Sequence, residues 1–384
     1  MIYFDQAASS FPKPVEVGEA MVYALNEIGA NPGRGGHELA RKASGIIQDT
    51  RERAARIFGC SDPKKAIFSP NATAALNQAL KGLSWEDGDH IIATTFEHNS
   101  IRRPLENLKQ TYGVDISYIT WDESDEIFIE RMNKTMNSKT RLIVTTHASN
   151  VTGSLLPLEE TTKLASKYDV LTLVDASQTA GHMRLHMKQM GIDMMAFPGH
   201  KGLMGPQGTG MLLIEGDIEL QPIFQGGTGN FSEEPNQPDQ MPDKLESGTL
   251  NTPGIAGLNA ALKAFEERQN ENVPRETILT ETLLNGLEKI EGVTCYGPSK
   301  YAHKMPIVAF NILDIPSQEI AMILDSHYKI AVRPGLHCSP LTHETLNTTE
   351  QGVVRASLSI YNTEEEVVAF IKAIEEIASS YNLI

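Results

Sequence analysis

A chain of 384 residues, 40% hydrophobic and 21% charged, has the composition of a globular protein and the length for a large core and two domains. Its net charge of −16, from 33 basic and 49 acidic residues, argues against a nucleic-acid surface, which needs a basic face, though it leaves room for a local positive pocket. No apolar run approaches the roughly 18 residues of a membrane span. The start MIYFDQAASS lacks the basic and apolar stretches of a secretion signal, and three scattered cysteines (Cys60, Cys295 and Cys338) form no disulfide framework, so a cytoplasmic protein is expected.

Residues 1–14 read as extended and turn-rich, broken by Pro12 and Pro14. Helical patterns follow over 15–28 and 37–58, separated by a loop at 30–36 and closed by Gly59. Strands are then expected at 66–69, 90–93, 115–119, 141–145, 170–174, 194–197 and 210–214, with helices at 72–81, 100–112, 123–136 and 158–168. This alternation predicts an α/β fold with a mostly parallel seven-stranded sheet covered on both faces, its ligands at the carboxyl ends of the strands. Residues 225–251 are irregular over a length that is usually functional or disordered. Helical pieces over 253–289, broken near 272–274, lead into strands at 293–296, 306–312 and 352–359 and helices at 318–326 and 364–381. These predict a smaller α+β domain, which places the large domain at 15–255 and the small one at 256–384 together with 1–14.

The chemistry centres on 170–210, where an apolar run ends in Asp175 and Lys201 follows within PGHKG. Pyridoxal phosphate (PLP) needs a lysine amine for attachment and a carboxylate to keep its pyridinium nitrogen protonated. Alone, the pair reads more readily as a buried strand-end acid and an ordinary surface lysine, and the rest of the chain has to shift that reading. The run SPNATAALN at 69–77 offers free N–H groups, a helix dipole and the Thr73 hydroxyl to a phosphate, or a plain helix cap. His98 lies after a strand, where it can stack on a flat cofactor and shuttle protons, or serve structure. Asn150 can meet a ring oxygen or a substrate carboxylate, or simply turn the chain. Cys338 sits on a Pro/Gly-bounded loop beside His337 and near Arg333, the setting of a thiolate nucleophile. A zinc site from His337, Cys338 and His343 lacks a second cluster, so no metal is expected. Arg355 suits a bidentate grip on a carboxylate, or the surface.

In order, FDQAASS at 4–10, EHNS at 97–100, SNVTG at 149–153, DASQ at 175–178, GHK at 199–201, GPQGTG at 205–210, ESGT at 246–249, RPGLHC at 333–338 and RASL at 355–358 with YNT at 361–363 run nearly the whole chain. Together they resemble the cysteine desulfurase and selenocysteine lyase family of class-V aminotransferases. The resemblance implies the fold type I architecture of PLP-dependent transferases. It implies that Lys201 holds PLP and moves the α-proton, Asp175 pairs with the pyridine nitrogen, Gln178 bonds the phenolic oxygen, and His98 stacks on the ring and relays protons. Ala72, Thr73 and His200 hold the phosphate, and Thr249 reaches that of a neighbouring subunit, which implies a homodimer. Asn150 and Arg355 bind the substrate carboxylate, and His37 and Arg333 line the entrance. Cys338 takes sulfur from L-cysteine, leaving L-alanine and a persulfide for an acceptor protein. L-Selenocysteine as substrate, or an aminotransferase or β-lyase on the same scaffold, are the other readings. Pro198 stands where many relatives have serine, and the short span from Cys338 to Arg355 resembles a branch that needs an activating acceptor.

Overall fold

The computed structural model describes residues 1–33, 35–268, 275–298 and 304–382; the expected helix break at 272–274 lies outside them. The first elements are β1 (Ile2–Tyr3), α1 (Val15–Tyr23), α2 (Glu38–Phe58), β2 (Ala66–Ser69), α3 (Ala72–Gly82), β3 (His90–Thr94), α4 (Asn99–Tyr112) and β4 (Asp115–Ile119). There follow α5 (Asp125–Thr135), β5 (Thr140–Thr146), α6 (Leu158–Lys167), β6 (Leu171–Asp175), α7 (Met187–Met190), β7 (Met194–Pro198) and β8 (Gly210–Ile214). Strands β2 to β8 form one sheet in the order β2-β8-β7-β6-β5-β3-β4. It is parallel except for β8, which runs antiparallel to both neighbours.

The apolar strands carry no alternation in sequence because both faces are buried. Their side chains still alternate in space. Val174, Met195, Phe197, Met211 and Leu213 pack in one core with Ala54 and Phe58 of α2. Leu173, Met194, Ala196, Leu212 and Ile214 pack in another with Leu76 of α3 and Leu105 of α4. Each strand therefore serves two helical layers, and its carboxyl end is left free to carry polar residues.

The later elements are α8 (Thr252–Arg268), α9 (Arg275–Leu287), β9 (Val293–Tyr296), β10 (Ile307–Ile312), α10 (Ser317–Ile323), β11 (Ile330–Ala331), β12 (Arg333–Gly335), α11 (Pro340–Leu346), β13 (Val353–Ser357) and α12 (Glu364–Asn382). An antiparallel sheet in the order β12-β13-β10-β9 packs Val308, Phe310 and Val354 against Leu283 of α9 and Phe370 of α12. The N-terminus joins this part: β1 pairs in parallel with β11, and Ser357 N–H donates to Phe4 O at 2.8 Å. Helix α8 runs across the expected boundary after residue 255 and packs Leu258, Leu262 and Phe265 into the core that holds Val174 and Phe197.

Three local features differ from the sequence expectation. Helix α2 starts at Glu38 because His37 is its cap, with Nδ1 accepting from Ala40 N–H at 3.3 Å. The cysteine loop contains β12 and α11, runs too short to show a period. Residues 225–251 form no helix or strand, yet they are anchored. Glu246 accepts from Arg51 Nη1 and Nη2 at 2.9 and 2.7 Å and from Phe68 N–H at 2.7 Å, all buried. Replacing Glu246 with Ala strands a buried guanidinium, so Glu246→Ala is expected to cost about 3–5 kcal/mol in denaturant unfolding.

Candidate active site

A cavity of about 230 Å³ opens at the carboxyl ends of the parallel strands, and Asp175, His98, Lys201 and Arg355 all line it. Asp175 closes β6, is 4% exposed, and accepts Ser177 N–H on Oδ1 at 2.9 Å. Lys201 follows β7 in a tight return in which Gly205 N–H donates to Gly199 O at 2.7 Å. Glycine is required at 181, where φ is +97° and a Cβ would lie 2.1 Å from the backbone of Gly202. Burial, more than its neighbours, pulls the Lys201 amine down to about 8; Asp175 opposes the shift, while Arg355 and Arg333 add to it.

His98 caps α4, with Nδ1 accepting Ser100 N–H at 3.1 Å, so the neutral ring carries its proton on Nε2. Burial first, then Lys201, holds its pKa down at about 4. Ser100 Oγ links Nδ1, at 2.9 Å, to Thr73 Oγ1, at 2.7 Å. Asn71 caps α3 through Ala74 N–H at 2.9 Å, which leaves the N–H groups of Ala72 and Thr73 without intrahelical acceptors at the cavity wall. His200, opposite, is held down at about 4 by burial and by Lys201, and its Nδ1 lies 3.2 Å from Ser9 Oγ. Gln178 Nε2 donates to Ala7 O at 3.3 Å.

Arg355, 1% exposed, donates from Nη1 to Asn150 O at 2.8 Å and from Nη2 to Asp5 Oδ1 at 2.9 Å; its buried Nε has no partner. Arg333 lies directly across the β12–β13 pair from Arg355 and lines the same cavity. Like charges facing each other across strands repel unless an anion sits between them. The pair puts two positive charges at the cavity wall, an arrangement that suits an anion.

The structure thus gathers Ala72, Thr73, His98, Asn150, Asp175, Gln178, His200, Lys201, Arg333 and Arg355 around one cavity. Cys338 is exposed and lines an adjoining groove that shares Thr73, His98 and Ser100 with it; its Sγ lies 3.9 Å from Arg333 Nη2. Burial pushes the other two thiols up, Cys60 to about 11 and Cys295 to about 12, out of range as nucleophiles at neutral pH. Thr249 lies elsewhere, in a second cavity beside Phe68 and Glu246, and His37 is exposed at the start of α2. His337 Nε2 bonds Val353 O at 3.1 Å and His343 Nδ1 bonds Thr348 Oγ1 at 2.8 Å; among the described residues no three His, Cys, Asp or Glu side chains could hold a metal ion.

Sequence reasoning missed Asp5, Ala7 and Ala8, which come from the N-terminus, along with Ser100 and Thr146. The FDQAASS motif was the one signal for the first three. Glu97, next to His98, was also passed over. It is fully buried, with Oε1 accepting from Thr94 Oγ1 and Thr146 N–H at 2.6 and 2.9 Å and Oε2 unpartnered.

The class-V aminotransferase family model matches residues 2–370. The chain belongs to the class-V aminotransferase family. It is 35% identical to a probable cysteine desulfurase of Methanothermobacter thermautotrophicus, over 98% of this chain and 94% of that protein. Its fold matches the apo structure of a cysteine desulfurase from Thermococcus onnurineus with a TM-score of 0.92 and 32% identity, over 99% and 95% of the two chains. An S-sulfonic acid form of an Escherichia coli cysteine desulfurase matches with a TM-score of 0.87 and 25% identity, over 97% and 94%. The overlap with these cysteine desulfurase structures makes this chain's seven-stranded sheet that of the fold type I, PLP-dependent group.

Burial raises the Glu97 carboxyl to about 8 from an ordinary 4.5, so at neutral pH the folded chain holds a proton that the unfolded chain releases. Stability from this group is full below 4.5 and is lost as pH climbs toward 8. Glu97→Gln is expected to gain in thermal midpoint over the wild type across that interval, by about 2 °C or more at its upper end, with no gain at the acid end. Paired melting curves across pH check it.

Proposed function

We propose that this chain is a PLP-dependent cysteine desulfurase that converts L-cysteine to L-alanine and carries the sulfur as a persulfide on Cys338. The observation that supports this best is that Lys201, Asp175 and Arg355 share one cavity, with the exposed cysteine at its rim. The residues present fit the cofactor. The start of α3 is a phosphate cradle, an amine and a carboxylate stand in the same cavity, and the orphaned Arg355 Nε awaits an anion.

Lys201 Nζ would attach PLP, Asp175 would face its pyridine nitrogen, and Gln178 its phenolic oxygen. Ala72, Thr73 and His200 would hold the phosphate, joined by Thr249 from a second copy in a homodimer. Bound there, PLP supplies an electron sink that loosens the bond from Cβ to sulfur. Asn150 and Arg355 orient the substrate carboxylate, with Arg333 toward the entrance; His37 lies outside this chain's cavity and would reach an entrance only from a second copy, as Thr249 would. The lowered pKa of Lys201 leaves about a tenth of the amine unprotonated at pH 7, ready to accept the α-proton. His98, neutral and with its proton on Nε2, lines the same cavity, where it would contact the cofactor ring and could relay protons. The Cys338 thiolate bonds the substrate sulfur as the Cβ–S bond breaks, Cβ takes up a proton, and L-alanine leaves. The persulfide passes to an acceptor protein in the cytoplasm. No helix among the described residues is long and apolar enough to cross a membrane.

PLP-loaded protein given L-cysteine and a reductant is expected to form L-alanine, with a persulfide mapping to Cys338. Cys338→Ser should lower that rate about 100-fold or more. Alanine from L-selenocysteine alone, persisting in the variant, would move the chain to selenium chemistry. Conversion of PLP to its amine form without alanine would make it a transaminase.

A further inference from the structure

We propose that the hydrogen bond from Ser339 Oγ to Asn150 Oδ1 is a latch that couples occupancy of the carboxylate site to the position of Cys338. The inference rests on the desulfurase reading and extends it to a positioning residue, Ser339, that does not line the cavity.

Asn150 touches both sides of the cysteine. Its Nδ2 donates to His337 O at 2.8 Å, and its Oδ1 accepts from Ser339 Oγ at 2.6 Å, both buried. Its backbone carbonyl holds Arg355 Nη1 at 2.8 Å. One residue therefore joins the nucleophile loop to the guanidinium that waits for a carboxylate. The loop is strained between these ties. His337 and Cys338 are consecutive residues at φ +50° and +59°, a conformation side chains other than Asn or Asp rarely hold. Asn99 N–H to Cys338 O, at 2.8 Å, and His337 Nε2 to Val353 O, at 3.1 Å, complete the hold.

Held this way, Cys338 lines the outer groove with Lys81 and Arg103, while Lys201 lines the cavity within. To reach a substrate sulfur in the cavity the thiol must turn inward. A carboxylate on Arg355 Nε and Arg333 brings negative oxygens to Asn150. They attract the Nδ2 hydrogens and repel Oδ1 and the His337 carbonyl. The carboxamide reorients, the Ser339 bond breaks, and the strained pair relaxes toward the cavity. Without substrate the thiol stays in the open groove, where an acceptor can meet it.

The test is the rate at which iodoacetamide alkylates Cys338 in PLP-loaded protein, followed by peptide mapping, with and without L-alanine, which has the carboxylate but no sulfur. In the wild type, L-alanine is expected to slow alkylation about threefold or more. Ser339→Ala should alkylate at the slow rate without ligand and ignore L-alanine, and Ser339→Thr should restore the dependence. Simple shielding of the thiol by the ligand would persist in Ser339→Ala, so an unchanged L-alanine effect in that variant overturns the latch. So does a wild-type rate indifferent to L-alanine when the cofactor's absorption shows that L-alanine binds, a result that needs no variant to fold. Protein that takes up no PLP overturns the functional reading and the latch together.

Discussion

Arg355 is a cation taken almost wholly out of water, and the architecture around the site follows from the need to satisfy it. Asp5 supplies the countercharge and Asn150 a carbonyl, so the N-terminal segment and the loop after β5 must both meet β13. The chain accomplishes this by pairing β1 with β11 and by bonding Ala7 N–H to Ser357 Oγ at 2.9 Å. Two guanidinium nitrogens are satisfied from within and Nε is left over, with Arg333 facing it across the strands. Arg355 and Arg333 both line the cavity that Lys201 lines, so their charge favours an anion there.

The parallel sheet performs a second task. Strands β6 and β7 are neighbours that run the same way, so Asp175 and the lysine turn after Pro198 emerge at the same edge. Burial there acts on Lys201, His98 and His200 in the same sense, favouring the neutral form. It lowers Lys201 to about 8 and His98 to about 4. Groups poised this way can take and return protons without first shedding a hydration shell. Pro198 contributes wall but no hydrogen-bond donor, so the donors on that wall come from the start of α3 and from His200.

The three cysteines divide by environment. Cys60 and Cys295 are raised by burial, whereas Cys338 stands exposed beside Arg333. The loop around Cys338 is tied at both flanks, through His337 O and Ser339 Oγ. Its freedom is therefore conditional, set by the same asparagine that contacts Arg355.

Much was legible in the sequence, and for a physical reason. Period and punctuation are local, so the strands from Ala66–Ser69 to Gly210–Ile214 and four of the five helices between them fall within a few residues of their expected places; the single turn α7 (Met187–Met190) is too short to show a period. Residue types at strand ends mark chemistry in the same local way, as with Asp175, Lys201 and the start of α3. Motif order was enough to name the class-V relationship before any coordinates. The sequence could not show which distant residues complete each other. Asp5 meets Arg355 across 350 positions, Asn150 meets Ser339 across 189, and Glu97 finds Thr146 across 49. Thr249 and His37 carry the same residue types as site members yet stand outside the cavity of their own chain. Those pairings depend on how the small sheet, the N-terminal segment and the large sheet close on one another, and no periodicity along the chain encodes that closure.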